Sequence, residues 1–456
     1  MQILINIALV VIGVLLFIFI IFAHELGHFL TAKKSGVQVN EFALGMGPKL
    51  FSFKKGETTY SLRAFPIGGF CSMEGEDEES DNPRAFTNAK VWKRMIIIVA
   101  GAVMNIIMGF VLTFVNTISM PVFADPVIVD FTPVSYTATT GLQVGDKVLS
   151  VGGYSVLNYQ DLMMGIQLLP CDEVKADTLE VYKENCESNA FLHISEMLKN
   201  KLVDEDTAIN VLQNKILNEQ MELLRAAQTK EEVDRIYRET IDLFYSSAKL
   251  QKPEDFKYPE YETPKERYHG EVVVERDGKK VTLDDVHFYT VKSGEKTTMA
   301  LDFYLQRKEK NFGTVMQETA TGTLSQAKIV WKSLELLVRG RYSISDMSGP
   351  VGMTKAVSDV AAVGLERSFG DAVLNIVFIM ALITVNLGIF NMLPFPALDG
   401  GRFVFLLIEA IFRKPIPRKV EYIVNGVGLA LLIGLIIFIT TQDIQKLVTG
   451  TFPSVG

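Results

Sequence analysis

The chain has 456 residues, 48% of them hydrophobic and 21% charged, with a formal net charge of −8. A positive mean hydropathy beside that many charges fits a membrane protein with a sizeable water-exposed part. The acid is concentrated in loops, and no basic patch or aromatic platform points to nucleic acid.

The first apolar stretch runs from Ile3 to Ala23 and continues through His24-Glu25-Leu26-Gly27-His28 to about Lys33. It is long enough to cross a bilayer, which takes about 20 helical residues. With no basic residue before it and an unbroken run into the motif, it reads as a membrane span and not as a cleavable leader. HExxH on a helix sets two imidazoles on one face, close enough to share a metal ion, and the adjacent glutamate can act on a metal-bound water. Ionisable groups at membrane depth are costly and mark functional sites. The plainer reading is a helix whose histidines lie at the membrane surface.

Residues 36–73 then read as β structure. Phe51, Phe53, Tyr60 and Leu62 alternate with polar residues around Lys55-Gly56-Glu57, a hairpin pattern. Such a hairpin offers a strand edge to an extended peptide, or it merely connects two spans. The acidic run Glu74 to Asp81 reads as a solvated loop. A second span covers Met95 to Val115, a third Ala372 to about Leu393, and a fourth Tyr422 to Thr440. Asn6, Asn105, Asn375, Asn386, Asn391 and Asn425 sit in these apolar runs, where interhelical hydrogen bonding is the ordinary role.

Between the second and third spans, Pro126 to Phe131 reads as a strand, and Asn158 caps a short helix over Tyr159 to Leu168. Glu271 to Leu283 is a hairpin around Asp277-Gly278. The stretch Gly141-Leu-x-x-Gly-Asp146-x-Val-Leu-Ser-Val-x-Gly153 resembles a PDZ domain. An intrusion over 171–263 has helical spacing at Ile194, Met197, Leu198 and Leu202, at Ile209, Leu212 and Ile216, and at Val233, Ile236, Tyr237 and Ile241. Thr229 and Glu232 form a capping-box pattern. Pro253, Pro259 and Pro264 mark an extended return. Cys171 and Cys186 form a pair only if their segment lies in an oxidising compartment, with Cys71 on the opposite side.

Orientation follows the basic residues. Lys33, Lys34, Lys90, Lys93 and Arg94 flank the first loop, and Arg402, Arg413, Lys414, Arg418 and Lys419 fill the last. The positive-inside rule makes both loops cytosolic and turns the termini and the segment 121–370 outward.

Catalytic zinc usually has three protein ligands and an open position. The best candidate for the third is Asp399, at the cytosolic end of the third span and so at the depth of His24 and His28. Pro394, Pro396, Gly400 and Gly401 break the helix around it, and broken backbone at membrane depth lines protein or a wet cavity. An exposed aspartate capping a loop is the plainer reading.

HExxH in the first span, Asn391-x-Leu-Pro-x-Pro-x-Leu-Asp399-Gly-Gly401 at the end of a later one, and a PDZ-like stretch between them resemble the site-2 protease family. Within it the likeness is to the bacterial regulator of sigma-E protease group. Gly45-Met-Gly-Pro48, Pro66-Ile-Gly-Gly-Phe70 and Ser348-Gly-Pro-Val-Gly352 are similar to further family motifs. The resemblance implies a polytopic α-helical membrane protein of four transmembrane helices with a membrane-associated β hairpin. An extracytoplasmic PDZ-like α+β domain with a helical insertion completes it. It also implies Zn2+ held by His24, His28 and Asp399, Glu25 as general base, and substrate handling by Asn386 and Asn391.

The implied activity is hydrolysis of peptide bonds inside transmembrane segments, in the lipid bilayer of a bacterial plasma membrane. The active site then lies toward the cytosolic side. Expected partners are single-span membrane proteins trimmed beforehand by another protease, such as anti-sigma factors or remnant signal peptides.

Expected domains are 1–35, first span; 36–90, hairpin region; 91–120, second span; and 121–325, PDZ-like domain with its insertion at 171–263. A connector at 326–370, a third span at 371–401, a cytosolic loop at 402–419 and a fourth span at 420–456 follow.

Two features depart from the family pattern: Gly101-Ala-Val-Met-Asn105 replaces its usual Gly-Pro-x-x-Asn, and the insertion is not general. Three other readings compete. A membrane zinc protease acting on loops or prenylated tails leaves the Asn–Pro–Asp–Gly stretch unexplained. A catalytically inactive membrane-anchored PDZ-type binding protein has no need of intact ligands and base. A transporter lacks support from any internal repeat.

Overall fold

The computed structural model describes residues 2–76, 78, 80–132, 135–173, 179, 182–183, 186, 190, 215–247, 252, 256–258, 266–293, 296–299, 301–341 and 349–449. In chain order, α1 spans Gln2–Ser35, β1 Val39–Lys55, β2 Thr58–Met73 and α2 Val91–Ser119. Next come β3 (Phe123–Phe131), β4 (Lys147–Val151), α3 (Tyr159–Gln167) and β5 (Cys171–Glu173). These are followed by α4 (Lys215–Ala226), α5 (Lys230–Ser247), β6 (Glu266–Arg276), β7 (Lys279–Ser293), β8 (Lys296–Met299) and β9 (Phe303–Lys308). The chain closes with α6 (Phe312–Val338), α7 (Pro350–Leu365), α8 (Phe369–Asn391), α9 (Asp399–Phe412) and α10 (Arg418–Thr449).

Two compact units result, one of residues 1–121 with 311–456 and one of residues 122–310. In the first unit, four stretches are long and apolar enough to cross a membrane: Val11–Ser35, Val91–Ser119, Phe369–Asn391 and Arg418–Thr449. They match the four expected spans. α1, α2 and α8 pack on one another, sharing a core of Ile20, Leu112, Ile376 and Met380. α10 packs against α7, where its buried Asp443 accepts hydrogen bonds from the Gly349 and Gly352 amides at 2.9 and 2.7 Å. Those amides open α7, and a carboxylate satisfies donors that a helix start leaves free.

β1 and β2 form the expected hairpin beside α1, but it folds on itself. Glu41 to Leu44 pair with Ser72 to Gly69 on one side and with Thr59 to Leu62 on the other. Thr59 to Leu62 pair again with Lys54 to Phe51, so Gly69–Met73 becomes an outer edge. Leu50, Phe51 and Phe65 are exposed.

Three boundaries differ from expectation. The second unit ends at Lys310, not near 325. The expected connector 326–370 contains the end of α6 and all of α7; α6 packs on α2 and α8 through Val330, Val385 and Ile389. Its Thr- and Ser-rich face hid it from a hydropathy reading, although Thr319 and Thr323 return their hydroxyls to Val315 and Thr319 carbonyls. The expected loop 402–419 begins instead with α9, whose Phe403 and Leu406 join Ile97, Ile98 and Phe42 in a core. Between Arg402 and Arg413 the stretch from Phe403 to Phe412 is mostly apolar but shorter than a membrane span.

The second unit is built on an eight-stranded sheet ordered β9-β3-β4-β6-β7-β8, with β5 on β6 and the short strand Tyr154–Ser155 on β4. The β6–β7 turn has φ of 51° at Asp277 and 73° at Gly278, as an Asp-Gly hairpin turn needs. Asn158 caps α3 by accepting from the Asp161 amide at 3.0 Å, and Leu162 and Ile166 bury α3 against Val151 and Val272. Within the expected insertion, α5 buries Val233, Ile236, Tyr237 and Ile241 as its spacing predicts. Thr229 accepts from the Glu232 amide at 3.2 Å, while Glu232 reaches back to Gln228. The helical patterns over 194–212 and the prolines at 253, 259 and 264 lie outside the described residues, as does the side chain of Ile216. Cys171 is exposed, Cys186 is buried in the core beneath α5, and neither is in a disulfide.

Candidate metal and catalytic site

The motif lies near the end of α1, in its most buried part, with His28 only 7% exposed. One helical turn separates the two imidazoles, whose ring centroids are 4.9 Å apart. Asp399 reaches them because the chain breaks after α8. α8 ends at Asn391, Ala397 takes a positive φ of 71°, and α9 starts at Asp399. The following glycines allow this turn to close: a Cβ on Gly400 would lie 2.2 Å from the Leu393 carbonyl oxygen. One on Gly401 would lie 2.4 Å from that of Phe395. A carboxylate in the first turn of α9 also complements that helix dipole.

Three atoms converge there. His24 Nε2 and His28 Nε2 are 3.3 Å apart, and each is 3.4 Å from Asp399 Oδ2. Ligand atoms held tetrahedrally at 2.0–2.1 Å from one zinc ion are separated by about 3.3–3.4 Å, so the triangle has the right size. Its chemistry fits as well. His28 Nδ1 donates to the Ile97 carbonyl at 2.8 Å, which leaves Nε2 of the neutral ring as a lone pair. Asp399 Oδ2 is buried without a conventional hydrogen-bond donor. Acceptors facing one another call for a cation between them. Among the described residues this is the only group of three or more such side chains that could hold a metal.

α2 builds the support. Asn105 is fully buried with its amide 3.1 Å from His24 Nδ1. A ring that offers Nε2 to a metal carries its proton on Nδ1, so the Asn105 oxygen is the matching partner. Gly101 lies between these contacts: a Cβ there would come 2.3 Å from His28 Nε2 and 2.8 Å from His24 Cε1. Ile97, Gly101 and Asn105 recur every four residues, as His28 and His24 do, and the two helices mesh along that repeat. From sequence alone Asn105 reads as interhelical glue and Gly101 only as part of a departing motif. The matched spacing of four was the available signal.

Glu25 lines the same cleft, together with Cys71. The cleft has a volume of about 400 Å³. Phe70, Cys71, Ser72 and Met73, the outer edge of β2, form one wall. Asn391 ends α8 with its amide 3.5 Å from His24 Nε2. Asn386 lies on α8 half-buried; neither asparagine is among the residues lining the cleft, and Asn391 is the one in contact with His24. The structure thus brings together His24, Glu25, His28, Asp399 and Asn391, and leaves Asn386 outside. Acceptor ligands around a cation-sized gap, a carboxylate beside them and a strand edge along the wall suit metal-assisted hydrolysis of an extended chain.

Comparison with known proteins agrees in kind. The chain matches peptidase family M50 over residues 12–435. It is similar to the zinc metalloprotease RasP of Bacillus licheniformis, at 27% identity over 95% of this chain and 98% of that one. The regulator of sigma-W protease RasP of Bacillus subtilis is 29% identical over 95% and 97%. The regulator of sigma E protease of Haemophilus influenzae is 27% identical over 93% and 96%.

Proposed function

The chain belongs to peptidase family M50, and from that premise we propose that His24, His28 and Asp399 hold its zinc ion while Glu25 is the general base. The protein is an intramembrane zinc metalloprotease acting in regulated proteolysis. The observation that carries the site assignment is the 3.3–3.4 Å triangle of acceptor atoms.

Bound zinc supplies a Lewis acid that makes water nucleophilic near neutral pH and polarises the scissile carbonyl. Glu25 takes the proton of the attacking water and passes it to the leaving amine. A substrate helix hides its carbonyls in hydrogen bonds, so it must unwind to be cut. The outer edge of β2 receives the unwound chain as an added strand, and Asn391 holds one of its freed backbone groups. Asn386, five residues earlier on the same helix, shares in handling the unwound chain.

The hairpin, with Leu50, Phe51 and Phe65 exposed, dips into the bilayer. Residues 122–310 form a PDZ-like domain outside the cytoplasm, with the metal site toward the cytosolic face. Substrates are single-span proteins already trimmed by another protease, with anti-sigma factors the class that the relatives' names suggest. The outer domain excludes untrimmed ones.

Zinc per chain in detergent-purified protein, wild type beside Asp399→Ala, tests the site. About one zinc in the wild type and a sharp loss in the variant is expected. Full zinc retention by Asp399→Ala overturns the ligand assignment.

A further inference from the structure

A second cleft, of about 470 Å³, adjoins the catalytic one. The two share Glu76, Ile98 and Arg402 in their walls. Beyond this boundary the second cleft is walled by the start of α2, by α9 and by the chain entering α10, through Arg94, Phe405, Glu409, Ile416, Arg418 and Tyr422. The acidic run at 74–81 is therefore not wholly a solvated loop, because Glu76 turns inward with only 12% of its side chain exposed.

Glu76 and Arg402 form an ion pair across the boundary. Glu76 is also tied to the end of β2, accepting from the Met73 amide at 3.3 Å. Arg402 is the longer and more exposed partner, at 35%, and it lines both clefts. Arg94 and Glu409 make a second pair in the wall at 2.5 Å.

The cleft lining decides what can occupy it. An apolar helix or acyl chain would bury surface against Phe405, Leu406 and Ile416, but it would strip water from the paired charges without replacing its hydrogen bonds. An extended polypeptide brings carbonyls and amides that exchange hydrogen bonds with the same groups. A protease cuts one bond of a chain that continues in both directions, and the edge of β2 leads along the catalytic wall to Glu76. The residues around this cleft include Arg402, Arg418 and Lys419, part of the basic set that marks the cytosolic side.

We propose that the second cleft holds the extended, polar cytosolic flank of the substrate while the bond to be cut lies at the metal site. Arg402, which lines both clefts, is the positioning residue that the chain passes at the boundary. This rests on the catalytic reading of His24, Glu25, His28 and Asp399.

The test is cysteine cross-linking in the full-length Glu25→Gln, Cys71→Ala, Cys171→Ser protein with a single-span substrate that the wild type cuts. Single cysteines are walked along that substrate. Ser72→Cys reports on the catalytic cleft and Phe405→Cys on the second. Phe405→Cys is expected to link to substrate positions on the cytosolic side of the cut, with little linkage on the other side. Linkage from Ser72→Cys alone, or equal linkage from Phe405→Cys to both sides, overturns the proposal and leaves the catalytic reading intact. No linkage from either position overturns both. In the active enzyme, Arg402→Ala should raise KM severalfold more for a substrate with its flank than for one lacking it, and Arg402→Lys should restore most of the difference. An equal change for both substrates removes the positioning role.

Discussion

Asn105 on α2 and His24 on α1, 81 positions apart, meet at 3.1 Å through the imidazole nitrogen that faces away from Asp399. That contact fixes which nitrogen of His24 is left to bind a metal. Partners of this kind raise ligand basicity and hold the ring in place. Asn105→Ala should lower zinc affinity by about 10- to 100-fold with the fold intact. Competition with a chelator measures it, and unchanged affinity would show that His24 needs no such support.

Gly101→Ala makes a sharper case. Alanine is the better helix former, so α2 itself gains. Its methyl nevertheless occupies space 2.3 Å from His28 Nε2. The variant should fold and lose zinc together with activity, as metal analysis beside circular dichroism would reveal. A fully zinc-loaded Gly101→Ala would mean that α1 and α2 separate easily.

Glu25→Gln retains size and hydrogen bonding while removing the base. Zinc content should stay at the wild-type level while turnover falls about 100-fold or more. Asn391→Ala should slow cleavage with zinc retained, and Asn386→Ala should have the smaller effect, since only Asn391 approaches His24. Comparable losses from both asparagines would show that substrate binding rearranges α8.

Acid should loosen the hairpin tip. Arg84, at 2.6 and 2.9 Å, and Lys33, at 2.6 Å, hold the Glu57 carboxyl down at about 2, below its ordinary value near 4.3. A group whose pKa is depressed by folding binds fewer protons folded than unfolded. Its contribution is complete above the ordinary value and is lost as pH falls from there toward 2. Hydrogen exchange at residues 55–59 should therefore show extra opening as pH drops through 4, beyond the intrinsic pH dependence of exchange. In Glu57→Gln that pH dependence should vanish, and its persistence would assign the effect to another carboxylate.

The outer domain as a size filter predicts that a substrate with a folded outer portion is cut poorly and its trimmed form well. Deleting 122–310 and joining the ends with a flexible linker should reduce that difference. Equal kcat/KM for both forms in the wild type would end the filter idea.

The sequence by itself determined the four apolar spans, the hairpin, and the identity of all three metal-ligand candidates. These are local signals: run length, alternation around Gly56, and the i, i+4 spacing of His24 and His28 need no tertiary contact to be read. Tertiary structure alone decided the support and the walls. Asn105, Gly101 and the Ile97 carbonyl gain meaning only when α2 meshes with α1, because a buried glycine or asparagine carries no mark of what it faces. It also decided that Asn391 and not Asn386 reaches the metal site. α9 was hidden because its apolar spacing lies among the charges that set orientation. Glu76, one acid in a run of acids, turns inward because Met73 and Arg402 draw it there.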